Sequence, residues 1–85
     1  MANITIYTRP MCGYCGRATT LLKKKGVGFE EIDAGFDAGK RAEMTRKANG
    51  AKTFPQIFID DIHIGGCDDL MRLERGGKLD AMLGL

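Results

Sequence analysis

The stretch Ile4-Thr5-Ile6-Tyr7-Thr8-Arg9-Pro10-Met11-Cys12-Gly13-Tyr14-Cys15 decides the fold. Its first five residues are β-branched or aromatic, which favours a strand. Pro10 has no N–H to give a ladder, so the strand ends there. Beyond it, Tyr14, Ala18, Leu21 and Leu22 recur at helical spacing and predict a helix from Tyr14 to about Lys25. Lys23-Lys24-Lys25 favour that helix's C-terminal end electrostatically, and Gly26 stops it. Phe29 to Asp33 reads as a second short strand, although Glu30-Glu31 weakens its apolar pattern. Strand, helix and strand in about thirty residues make a right-handed βαβ unit.

The same reading extends to the C-terminus. Asp37 caps a helix running to roughly Asn49, with Gly50 as its left-handed stop and a thin apolar stripe of Ala38, Met44 and Ala48. Gln56-Ile57-Phe58-Ile59 and Ile62-His63-Ile64 are strands joined by Asp60-Asp61, a hairpin turn. Gly65-Gly66 ends the second of them. Asp68 is placed to cap a helix through Leu70, Met71 and Leu73, and Gly76-Gly77 separates it from a last short turn with Leu79 and Met82. The order is β-α-β-α-β-β-α, without repeats or linkers.

Size and charge narrow the function. The chain has 85 residues and a net charge of +2, with 44% hydrophobic and 28% charged residues. That length predicts a single domain, residues 1–85. The apolar runs are too short to cross a bilayer, and Met1-Ala2-Asn3 leads into Ile4 without the features of a secretory leader. A cytoplasmic location is expected. Basic and acidic residues alternate, so neither nucleic acid nor a membrane surface is an expected partner.

Three cysteines stand at 12, 15 and 67, an odd number that does not describe a disulfide-stapled scaffold. A Cys-x-x-Cys pair in a reducing compartment is either redox-active or half of a metal site. At a strand-to-helix junction the first cysteine meets the unpaired N–H groups of the helix, whose partial positive charge stabilises a thiolate. Arg9 adds to this, which makes Cys12 the nucleophile. Cys15, one turn on, is placed to attack a mixed disulfide on Cys12. As a metal site, Cys12, Cys15, His63 and Cys67 form a permissible zinc set, with an unusually long gap between its halves. His63, between two isoleucines, otherwise reads as an exposed polar residue of its strand.

Three segments carry a resemblance: Tyr7-Thr8-Arg9-Pro10-Met11-Cys12-Gly13-Tyr14-Cys15, Thr53-Phe54-Pro55, and Gly65-Gly66-Cys67-Asp68-Asp69. In this order and at these separations the chain resembles the dithiol glutaredoxins. The resemblance implies an α/β, thioredoxin-like fold with a four-stranded mixed sheet flanked by helices. It also implies a glutathione-dependent oxidoreductase that reduces protein–glutathione mixed disulfides and protein disulfides. Pro55 would be cis, turning the Phe54 backbone outward to pair with the cysteinyl unit of glutathione. Arg9 and Gln56 would receive the glycine carboxylate. The γ-glutamyl carboxylate would meet the Cys67 and Asp68 N–H groups, and Asp68 or Asp69 would accept its ammonium. Tyr14, Thr53 and Gly66 complete the implied site.

Two residues depart from the family's usual pattern. Gly13 stands where Pro is commoner, and Phe54 where Val is usual. Some members with Gly or Ser at the first of these positions bridge two subunits with a [2Fe–2S] cluster, held by the first Cys of each and two glutathiones. A monomer, or such a cluster-bridged dimer, is therefore expected. A thioredoxin-like protein reductase is the rival within redox enzymes, but Gly13-Tyr14 lacks the Trp that flanks the motif in that family. Cys67 reads as a semi-exposed secondary thiol.

Overall fold

The computed structural model describes residues 2–85; Met1, where the reading of the chain's start begins, lies outside them. The elements are β1 (Ile4–Thr8), α1 (Gly13–Lys24), β2 (Glu30–Asp33), α2 (Ala38–Lys47), β3 (Gln56–Ile59), β4 (Ile62–Gly65), α3 (Cys67–Arg75) and α4 (Leu79–Met82). The four strands form one sheet in the order β2-β1-β3-β4. β1 and β2 are parallel, and the β1/β3 and β3/β4 pairs are antiparallel. This is the mixed sheet of the thioredoxin-like fold.

Strand alternation divides the interior in two. Ile4, Ile6, Ile57 and Ile59 face α1, α3 and α4, where they pack with Ala18, Leu22, Leu70, Leu79 and Leu83. Tyr7 and Phe58 face the other way, into a smaller cluster with Met44, Ala48 and Ala34. Met44 is the one residue that α2 buries within its helical span, so its thin stripe does produce a mostly exposed helix. β2 is an edge strand with both glutamates exposed, which reconciles Glu30-Glu31 with strand pairing.

The turns follow their residue chemistry. Asp60 and Asp61 have φ of 51° and 64°, the pair of positive values that a two-residue hairpin with the sheet's own twist requires. α1 stops at Gly26, whose φ is 73°. Several expected boundaries move: α1 spans Gly13–Lys24 rather than Tyr14 to about Lys25, and β4 takes in Gly65. α2 ends at Lys47 rather than Asn49, because Asn49 itself goes left-handed (φ 57°) ahead of Gly50. β2 begins at Glu30 and excludes Phe29, which packs against the larger core. The N-cap of α3 is Gly66, not Asp68: Gly66 is extended and its carbonyl already accepts the Leu70 N–H at 3.1 Å. Asp68 is thus an exposed residue of the helix's first turn.

Candidate active site

Cys12 is the N-cap of α1. Its extended backbone (φ −109°, ψ 107°) turns the side chain back over the helix, and its Sγ accepts the Cys15 N–H at 3.2 Å. A sulfur atom thereby occupies the place usually held by a Ser or Asp oxygen. Met11, at φ 56°, makes the sharp turn that brings Cys12 there, and its side chain is fully exposed. The Cys12 sulfur is partly exposed, and 4.0 Å away lies the carbonyl oxygen of Phe54. The Phe54–Pro55 bond is cis.

Cys15 shares the motif but not the environment. It is 5% exposed, and both sulfurs are free thiols. Burial, and then the hydrogen bond to Cys12, push the Cys15 thiol up to about 12, against opposing effects of the Arg9 backbone and charge. The motif therefore pairs an accessible sulfur on a helix N-terminus with a protonated, covered one.

An open cleft of about 500 Å³ runs from Tyr14 and Cys67, beside Cys12, along Thr53, Phe54 and Pro55 to the first turn of α3. It collects Tyr14, Thr53, Phe54, Pro55, Gln56, Gly66, Cys67, Asp68 and Asp69, which are nine of the ten residues expected to bind glutathione. The tenth, Arg9, is exposed at the end of β1 and does not line the cleft. Gln56 lines it differently from expectation. Its side chain is 2% exposed, with Nε2 donating to Thr53 O and Thr53 Oγ1 at 3.0 Å each and Oε1 lying 2.7 Å from His63 Nε2.

The two aspartates at α3 divide their work. The Asp69 carboxylate accepts the Gly66 N–H at 3.0 Å and the Arg72 guanidinium at 3.1 Å, so it closes its own helix. Asp68 is exposed, and its carboxylate makes no hydrogen bond or ion pair among the described residues. Gly66 has no side chain with which to cap the first-turn N–H groups in return. Gly65 makes the close approach possible: its φ is 119°, and a Cβ there would overlap the Asp69 carboxylate.

Two further expectations are corrected. Cys67 is not semi-exposed; it is 5% exposed and packs in the larger core, where burial and then the Asp68 charge raise its thiol above the ordinary value. No three His, Cys, Asp or Glu side chains among the described residues gather as a metal site, and the His63 ring is turned to Gln56 and Phe58. His63 is half-buried and lines the cleft, a place that its reading as an exposed strand residue missed. The alternation Ile62-His63-Ile64 carried the signal, since it puts His63 on the opposite face from its isoleucine neighbours. Ala51, also on the cleft wall, left no mark in the sequence.

A free Cys-x-x-Cys dithiol at a helix N-terminus, on this sheet, defines a thiol–disulfide oxidoreductase of thioredoxin-like fold. The glutaredoxin family model matches residues 4–64, and the chain belongs to the glutaredoxin family. It is 53% identical over 83 residues to Glutaredoxin 3 of Escherichia coli (strain K12), covering 98% of this chain and 99% of that relative. Among solved structures it is similar to the glutaredoxin of Brucella melitensis, with TM-score 0.85 and 55% identity over 98% of this chain and 89% of that one. It is also similar to buckwheat glutaredoxin in its glutathione complex, with TM-score 0.87 and 32% identity over 98% of this chain and 77% of that one.

Proposed function

We propose that this protein is a glutathione-dependent oxidoreductase acting on protein–glutathione mixed disulfides and on protein disulfides. The observation that carries the reading is the cleft that runs from Phe54, whose carbonyl oxygen lies 4.0 Å from Cys12 Sγ, to the open N-terminus of α3. Glutathione has a thiol at its middle and a γ-glutamyl group with its own carboxylate and ammonium at one end. The cleft offers a backbone at Phe54 for strand-like pairing, free N–H groups at Cys67 and Asp68 for the carboxylate, and the unpaired Asp68 for the ammonium. The buckwheat glutaredoxin binds glutathione, which supports the same ligand here.

The chemistry follows from the two thiols. The Cys12 thiolate, held by the α1 N-terminus, attacks the glutathione sulfur of a mixed disulfide. The old S–S bond breaks, the protein thiolate leaves, and Cys12 carries the glutathionyl group. A second glutathione thiolate attacks that new bond, releasing glutathione disulfide and restoring Cys12. With a protein disulfide, Cys12 forms a mixed disulfide to the protein. Cys15, having given up its proton, attacks the Cys12 sulfur, and the substrate's second thiolate leaves. The Cys12–Cys15 disulfide that remains is reduced back to the dithiol by two glutathiones, with release of glutathione disulfide. Cys15 stays protonated until then, so it does not compete for the first attack.

The test is a glutathione reductase-coupled assay with a glutathionylated peptide. Turnover that saturates with the peptide and requires glutathione is expected. Disulfide reduction by dithiothreitol without glutathione turnover would reject glutathione dependence and leave the family's oxidoreductase activity.

A second reading rests on Gly13. The position is exposed, and a Cβ there would meet nothing within 4 Å, so the motif turn is open beside a partly exposed Cys12 sulfur. Cys12 of two copies, with two glutathiones, could hold a [2Fe–2S] cluster, which supplies one-electron chemistry when bound. A brown, glutathione-dependent dimer on anaerobic reconstitution is the expected result, with a colourless monomer for Gly13→Pro. An iron-free monomer in excess glutathione would end this reading.

A further inference from the structure

The proton on His63 can be located from its neighbours. The Gln56 amide points one end at two oxygens of Thr53, the carbonyl and the hydroxyl, each at 3.0 Å. A carbonyl oxygen only accepts, so that end of the amide must be its NH₂ group. The reverse orientation would set two oxygens together with no proton between them. The amide oxygen therefore faces His63, and the imidazole Nε2, 2.7 Å away, must donate to it. The Phe58 ring, centroid at 5.2 Å and tilted by 33°, lies against the imidazole across the β3/β4 pair.

The consequence passes to the cleft. Both Gln56 N–H groups are spent on Thr53, so this buried amide has none left for a ligand. The Thr53 hydroxyl accepts one of them, and its own proton remains to be given away. Thr53 is exposed and lines the cleft.

We propose that His63 is a positioning residue: through Gln56 it holds the Thr53 hydroxyl as a donor to a ligand carboxylate in the cleft. The proposal deepens the glutathione reading and rests on it. His63 acts at a distance from the reacting sulfurs, with its Nε2 committed to Gln56 Oε1. Removing its donor leaves the buried Gln56 oxygen unpaired, so the amide is no longer anchored at that end and Thr53 loses its fixed polarity.

Steady-state kinetics and nuclear magnetic resonance test this together. For His63→Leu, KM for a glutathionylated peptide should rise about tenfold, the scale of one hydrogen bond to a charged group, with kcat within twofold. His63→Gln, which keeps a donor, should restore most of the loss. Thr53→Val should match His63→Leu, and the double variant should be no worse than either alone. An unchanged KM in folded His63→Leu, or additive losses in the double variant, would overturn the proposal. If His63→Leu does not fold, ¹⁵N shifts of the unaltered, ligand-free protein decide: a proton on Nδ1 alone rejects the network, and a proton on Nε2 supports it. Absence of glutathione turnover by the unaltered protein is a different failure, since it removes the underlying reading while the resonance experiment still reports the proton.

Discussion

Two helix N-termini face the same cleft, and they are finished in opposite ways. α1 is capped by the Cys12 sulfur, which takes the Cys15 N–H at 3.2 Å. α3 starts at Gly66, which has no side chain; Asp69 closes only the Gly66 N–H and leaves the first-turn groups open. The same electrostatic feature, a cluster of unpaired N–H groups, is used to hold a reacting sulfur at one end and left free for an anion at the other. A helix N-terminus becomes a reactive or a binding site through what is placed at its cap.

The strongest way to break the contrast is Cys12→Ser. Serine is a good N-cap, so the variant should keep its melting temperature while losing turnover by on the order of a thousandfold or more. Comparable loss of stability would mean that the sulfur's role at α1 is structural.

Cys15→Ser comes next and splits the two activities. Deglutathionylation should persist, because free glutathione replaces the resolving thiol, whereas reduction of intramolecular protein disulfides should fall by on the order of a hundredfold. The variant also changes the response to alkali. The folded chain holds the Cys15 proton up to about 12, above its ordinary 9.0. That contribution is complete below pH 9 and is lost as pH rises towards 12. Tyr7 and Cys67, raised mainly by burial, act in the same direction. Urea titrations from pH 8 to 11 should show stability falling, and less steeply in Cys15→Ser. Equal slopes would remove Cys15 from the account.

Asp69→Ala and Asp68→Ala sharpen the α3 side. Asp69→Ala should cost about 1 kcal/mol in urea unfolding, the value of a helix-terminal side-chain bond. Asp68→Ala should stay within about 0.5 kcal/mol, yet raise KM for the glutathionylated peptide several-fold. Reversed effects would exchange the roles of the two residues. The smallest expected change is Gly66→Ser, which gives α3 the cap that α1 has. It should add a few tenths of a kcal/mol while raising KM, because the new hydroxyl competes with the ligand for the same N–H groups. A tighter KM would show that those groups are not the anion site.

Much of this was legible in sequence because it depends on near neighbours. The strand, the Pro10 stop, the cysteine spacing and the Asp60-Asp61 turn each need only a few consecutive residues. The strand order β2-β1-β3-β4 and the division into two cores were not legible there, because they depend on which elements pair and pack across the chain. The misplaced boundaries share a cause. Asp68 has the residue type of an N-cap, yet Gly66 takes the position because the extended backbone after β4 delivers its carbonyl to Leu70 first.

By itself the sequence determined the elements, their order, the reacting dithiol and the family, since propensity, turn chemistry and motif spacing are local along the chain. Tertiary structure alone decided how chemically similar groups diverge. Of two motif cysteines it covered one, of two adjacent aspartates it committed one to a helix, and of the expected anion receptors it turned Gln56 inward and left Arg9 outside the cleft. It also drew His63 into the wall. Burial and hydrogen-bond partners are set by residues distant in the chain, and no local pattern specifies which side chain a neighbour will cover.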